Sequence, residues 1–102
     1  MRNQSQLHFN YFEAIIQIRP LDKEVYEYVR KQIAKTDAFI SKEIVLKTGV
    51  DIYISSHKLA KQIGRRLMRS FKGELKVSHL HYGMDKETSK NIYRATVFFR
   101  KL

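Results

Sequence analysis

A chain of 102 residues, 43% hydrophobic with six Tyr and six Phe, is the size of one domain and can form a real core. One Pro and four Gly exclude a disordered or repetitive chain, and zero Cys excludes a disulfide framework, a thiolate zinc site, an iron–sulfur cluster and a cysteine nucleophile. Twenty Lys and Arg against ten Asp and Glu leave a formal charge of +10, so the partner to look for is a polyanion.

Residues 1–8 read as a polar lead-in to a single domain over residues 9–102. Phe12, Ala14, Ile16 and Ile18 alternate with Glu13, Ile15, Gln17 and Arg19, the period of a strand with one well-buried face. Pro20 ends it and is expected in the first turn of a helix. Asp22 to about Lys35 has acids early and bases late, which complements the helix dipole. Val25, Val29 and Ile33, with Tyr26 beside them, form its buried stripe. Two β-like runs follow, Phe39 to Leu46 and Val50 to Ser55, joined by Lys47-Thr48-Gly49 as a hairpin. The first of them is irregular, because Ile44, Val45 and Leu46 are consecutive, so it is short, bulged or buried on both faces. Ser56 is the expected N-cap of a second helix running to about Phe71, with Gly73 as the helix-ending glycine or Lys72 as its last residue. Leu75 and Val77 begin a strand toward Tyr82, residues 83–90 form a polar loop, and Ile92 to Arg100 is the last strand. Tyr93, Ala95, Val97 and Phe99 share one face of it. The order βαββαββ places the chain in the α+β class, with two helices packed on one face of a mostly antiparallel sheet.

Charge is unevenly distributed along this framework. Residues 1–51 carry a net +1 and residues 52–102 a net +9. The second helix concentrates it. On a wheel of 100° per residue Lys58, Lys61, Arg65, Arg69 and Lys72 fall within a sector of about 80°. Leu59, Ala60, Ile63, Leu67 and Phe71 take the opposite side. Arg66 flanks the stripe, and no acid occurs from His57 to Lys72. Such a row can meet successive phosphates of a nucleic acid without reading sequence. The plainer alternatives are a solvated basic face, an acidic protein partner, or a helix lying on a membrane surface. Lys76 and Arg94, with Lys86, Lys90 and Arg100, extend the basic region. Tyr53 and Tyr82 are either outward rings able to stack on bases or half-buried packing residues. The element order is close to the four-stranded RNA-recognition fold, but the aromatic signature of that family is missing from Val50-Asp51-Ile52-Tyr53-Ile54.

Signals for catalysis are poor. His79 and His81, two apart, would share a strand face as a metal pair, yet no Asp or Glu accompanies them. Asp85 and Glu87 read as loop residues, and no phosphate-binding glycine loop, nucleophile elbow or HExxH occurs. The expectation is a protein that is not an enzyme, has no catalytic residue, and takes no metal or cofactor. Residues 1–6 have no apolar h-region of a signal peptide, and no run approaches the roughly 18 apolar residues of a spanning helix. A cytoplasmic setting without membrane attachment is expected.

Five blocks carry a resemblance. They are Tyr11-Phe12-Glu13-Ala14-Ile15-Ile16-Gln17-Ile18-Arg19, Asp37-Ala38-Phe39-Ile40-Ser41-Lys42, Gly49-Val50-Asp51-Ile52-Tyr53-Ile54-Ser55-Ser56, Gly73-Glu74-Leu75-Lys76-Val77-Ser78 and Tyr93-Arg94-Ala95-Thr96-Val97-Phe98-Phe99-Arg100. In order and spacing over roughly residues 10–100 the chain resembles the nonsense-mediated mRNA decay protein 3 family, the large-subunit export adaptor of eukaryotes and its archaeal relatives. The resemblance implies association with the large ribosomal subunit and its rRNA, with ribosomal proteins or assembly factors as further partners. Family members carry Cys-x-x-Cys zinc motifs ahead of the Tyr-Phe-Glu-Ala block, and many continue into a further domain. Neither feature is in this chain, so zinc-dependent contacts and an export signal are not carried over. The nucleic-acid-binding residues expected from the physical pattern are Lys58, Lys61, Arg65, Arg66, Arg69, Lys72, Lys76 and Arg94. The other reading is a protein-interaction module that docks a ribosomal protein or assembly factor through a sheet edge or face.

Overall fold

Strands with one apolar face need a second layer, and amphipathic helices supply it. The computed structural model describes the backbone of residues 11–84 and 91–102 and the side chains of residues 11–79 and 94–102. In chain order the described residues form β1 (Ala14–Arg19), α1 (Lys23–Ala34), β2 (Ile40–Leu46), β3 (Gly49–Ile54), α2 (His57–Ser70), β4 (Gly73–Met84) and β5 (Asn91–Lys101). This is the expected βαββαββ order of the α+β class. The strands make one five-stranded sheet in the order β2-β3-β1-β5-β4. Every neighbouring pair is antiparallel except the central β1 and β5, which run parallel.

Residues paired across strands share a sheet face, so register decides which side chains meet the helices. Ile16 lies between Ile52 of β3 and Val97 of β5, and Ile18 between Val50 and Phe99. These residues, with Ala14, Ile54 and Ala95, are buried on the helix side. Val25, Val29 and Ile33 of α1 close over them together with Leu59, Ala60, Ile63 and Leu67 of α2. Each helix thus buries the stripe its sequence announces. The other sheet face, with Ile15, Gln17, Tyr53, Thr96 and Phe98 half-buried, is covered by no described element.

Side-chain caps start both helices. The Val25 amide donates to Asp22 Oδ1 at 3.0 Å and the Leu59 amide to Ser56 Oγ at 3.2 Å. Tyr26 donates its hydroxyl to Glu43, and Arg30 Nε stands 3.7 Å from the same carboxylate, which ties α1 to β2. Helix α2 lies over β1, β5 and β4. A Cβ on its Gly64 would stand 3.0 Å from Val97 Cγ1 and 3.1 Å from Leu75 Cδ1, so the absent side chain lets α2 sit close on the sheet.

Four local expectations are corrected. Phe12 does not join the buried face, because β1 begins only at Ala14 and the alternation does not reach back to residue 12. Its ring stands edge-on to Tyr53 at a centroid distance of 4.9 Å, on the uncovered face. Pro20 precedes the Asp22 cap and lies outside the first turn of α1. The second helix stops at Ser70, with Phe71 already extended at φ −135°. Gly73 is therefore not a helix cap. It opens β4 opposite Lys101, where a Cβ would be 2.5 Å from the Arg100 carbonyl oxygen. The irregular run, by contrast, takes one of its expected forms: it is an edge strand, β2, bulged between Ile40 and Lys42. The loop expected at residues 83–90 is in part strand, since β4 runs through Met84. Residues 85–90, and with them Lys86, Lys90, Asp85 and Glu87, lie outside the described residues, as do the side chains of His81, Tyr82 and Tyr93.

Candidate nucleic-acid interface

Because α2 packs through Leu59, Ala60, Ile63, Gly64 and Leu67, the opposite arc of the helix is forced outward. Lys58, Arg65, Arg66 and Arg69 are exposed on it, and Lys61 is half-buried along the flank nearer β4. From Lys58 to Arg69 the row is about 16 Å long at 1.5 Å per residue. Lys72 follows, exposed, in the connection to β4 and not on the helix itself. Among the described residues no carboxylate forms an ion pair with Lys58, Lys61, Arg65, Arg69 or Lys72. Arg66 differs, since its Nη1 donates to Gln32 Oε1 of α1 at 2.6 Å. It sits at the seam between the helices and is partly committed to it.

The first turn of α2 contains no acid. Its need for one is met from far away in the chain. Glu13 Oε1 accepts from the His57 amide at 3.0 Å and stands 3.9 Å from His57 Nε2. A carboxylate there satisfies an orphan donor and complements the helix dipole. Reading Glu13 simply as an outward strand residue missed this, because no local spacing links residues 13 and 57. Met68, 44% exposed, was also missed. It lies one turn after Gly64 on the β4 flank, so the basic arc has an apolar margin.

The remaining expected residues are not brought to this arc. Lys76 pairs with Phe98 and Arg94 with Leu80, both in the register of the uncovered face. Arg94 Nε donates to the Phe12 carbonyl at 3.1 Å, and its guanidinium carbon is 4.2 Å from the Phe12 ring centroid. Lys42 Nζ is 4.6 Å from the Tyr53 ring centroid. Arg94, Phe12, Tyr53 and Lys42 therefore form a cation–ring–ring–cation row that crosses from β5 to β2. Arg19 and Arg100 belong to this face as well, with Arg19 Nη2 at 2.7 Å from Asp51 and Arg100 Nη1 at 3.7 Å from Glu74. The two sides of the sheet thus carry arginine in different states, tied to carboxylates or a ring on the open face and, on α2, without a carboxylate partner among the described residues.

His79 is exposed on β4, in register with Ala95 and so on the helix side. Among the described residues no three His, Asp or Glu side chains gather as a metal site. Perturbed ionisation belongs to contacts that hold the fold. Partial burial and the bond to Glu13 push the Tyr11 hydroxyl up to about 12. The bond to Glu43 and burial raise Tyr26, while Lys101 holds Asp22 below its usual range through a 2.8 Å contact. No helix among the described residues is long and apolar enough to cross a membrane.

The molecule is thus an α+β domain that uses one helix both as a wall of its core and as an outward row of cations. A family model described as NMD3, second domain, matches residues 11–100, and the chain belongs to that family. All five blocks that carry the resemblance fall in the matched span. No curated protein sequence matches the chain.

Proposed function

We propose that this domain is a non-catalytic, ribosome-associated RNA-binding module of the cytoplasm, acting in large-subunit assembly or quality control. In this reading Lys58, Lys61, Arg65, Arg69 and Lys72 contact rRNA phosphates, with Arg66 at the margin. One observation carries it: the helix that holds the core has no acid of its own and presents a row of cations with no carboxylate partner among the described residues. Family membership supports the ribosomal setting. Affinity from such a row falls steeply with salt, because each phosphate contact releases counterions.

The test is co-sedimentation of the chain with isolated large and small subunits across a salt series. Pelleting with the large subunit, lost steadily as salt rises and lost in Arg65→Glu/Arg69→Glu, is the expected result. Pelleting that survives this double change at moderate salt removes α2 as the contact.

A second reading rests on the edge of the sheet. Ile44, Val45 and Leu46 on β2 are 38%, 61% and 39% exposed, and β2 has no partner on its outer side among the described residues. Such an edge can take a strand from a ribosomal protein or assembly factor. It predicts subunit binding with weak salt dependence and little affinity for naked RNA.

A further inference from the structure

The reading of α2 as a phosphate contact leaves open which form of RNA it meets. We infer that the partner is double-helical RNA, engaged across the phosphates that border a groove, and not an extended single strand. This rests on the function proposed above. Three observations carry it.

The first is the absence of a stacking platform. Single-stranded RNA is held chiefly by bases stacked on exposed rings, with a basic groove tracking the backbone. The described arc of α2 carries no aromatic residue. Phe71, at its end, packs edge-on against Tyr28 at 5.6 Å. Phe12 and Tyr53 are on the opposite sheet face, each already beneath a cation. The second is shape. The cations sit on the ridge of an outer helix, which is convex. Two of the hollows among the described residues have other linings, one including Glu24, Glu27 and Phe71 and another including Glu74, Lys76 and Phe98. Both include carboxylates, and neither includes a stripe residue. The third is the make-up of the arc, where Lys and Arg dominate and Gln62 and Ser70 are the exposed neutral polar side chains, a composition suited to rows of phosphates. An A-form duplex hides its major-groove base edges in a deep, narrow groove and displays phosphates in fixed rows. A convex, straight row of Lys and Arg about 16 Å long fits that surface better than it fits a flexible strand.

The test is fluorescence anisotropy of the full 102-residue chain with two labelled RNAs of equal nucleotide count. One is a hairpin of about 16 base pairs, roughly the span that shape-reading domains cover, and the other an unstructured single strand. At matched salt the hairpin is expected to bind at least about ten-fold tighter, since a single strand finds no ring to stack on along the described arc of α2. Arg65→Glu/Arg69→Glu abolishes the preference, with circular dichroism showing the fold intact, while Lys42→Ala on the far face leaves hairpin affinity within about two-fold. Equal affinities, or a tighter single strand, overturn the inference and leave α2 as a phosphate contact. A Lys42→Ala loss as large as that of the double change overturns the placement on α2. Failure of both RNAs to bind at low salt overturns the inference together with the proposed function.

Discussion

The two helices lie on the same side of the sheet and bury similar apolar stripes, Val25, Val29 and Ile33 in α1 and Leu59, Ile63 and Leu67 in α2. Outward they follow different charge rules. Helix α1 has an acidic cap, Glu24 in its first turn and Lys31 in its last, and Arg30 reaches Glu43 of β2. Its charges complement the dipole and tie it to the sheet. Helix α2 has no acid of its own, so it forgoes the i,i+4 pairs that support an exposed helix and sets cations beside one another. What holds it is burial, the close seat at Gly64 and a carboxylate lent by Glu13. The lesson is that α1 pairs its charges within the fold, whereas on α2 only Arg66, bonded to Gln32, and Arg69, in the last turn, help to hold the helix, and no stripe cation meets a carboxylate among the described residues.

The strongest way to break this comparison is to invert the outer face of α2. Arg65→Glu/Arg69→Glu should weaken large-subunit binding by on the order of 100-fold at moderate salt, about 2.7 kcal/mol. The measured slope of log affinity against log salt should shrink by roughly 1.5–2. The matching reversal on α1, Glu24→Lys/Glu27→Lys, should change affinity by less than about three-fold, because those residues lie off the stripe. If both reversals act alike, binding follows net charge and the two faces are equivalent.

A smaller effect tests the seat of α2. Gly64→Ala should cost about 1–2 kcal/mol through crowding against Val97 and Leu75. Thermal unfolding should show it as a Tm lowered by roughly 4–12 °C, with RNA affinity of the folded protein unchanged.

The start of α1 comes next. Asp22→Ala should cost about 1 kcal/mol as a lost N-cap, and Asp22→Asn, which still caps, only a few tenths. The pH dependence has a definite sign. Lys101 and the Val25 amide hold the Asp22 carboxyl below its ordinary 3.8, so its contribution is fully present above about pH 4. It is lost as pH falls through the lowered folded value. Asp22 raises Lys101 above its ordinary 10.5, so that contribution persists below this pH and is lost as pH rises through the raised value. Denaturant melts of Asp22→Asn should therefore show a flatter acid limb than the parent protein.

The smallest effect separates Arg66 from its neighbours. Since Arg66 is engaged by Gln32, Arg66→Ala should reduce RNA affinity less than Arg65→Ala, by a factor of about two to three. Parallel titrations of the two variants on one RNA check this.

Much of this could be read along the chain because it depends on neighbours in sequence. Alternation in residues 14–18, the four-residue repeat of Val25, Val29 and Ile33, and the Asp22 and Ser56 caps are local patterns, and each appears as read. The cation stripe was legible for the same reason, since a wheel needs only the helix. Reading failed where a residue's place is set by something distant. Phe12 turned to the open face because Tyr53 and Arg94 meet it there. Gly73 became a strand residue because it pairs with Lys101 of β5, where the Arg100 carbonyl leaves no room for a Cβ.

By itself, then, the amino-acid order determined the elements, their sequence, the buried stripes and the charge of α2, all consequences of short-range periodicity. Only the tertiary structure decided the sheet order β2-β3-β1-β5-β4, because strand pairing joins residues far apart in the chain. That order separates cations which composition treats as equal. It leaves Lys58, Lys61, Arg65 and Arg69 without carboxylate partners among the described residues on one side. On the other it binds Arg19 to Asp51 and stacks Arg94 on Phe12, since a guanidinium is held wherever the fold brings a carboxylate or a ring within reach.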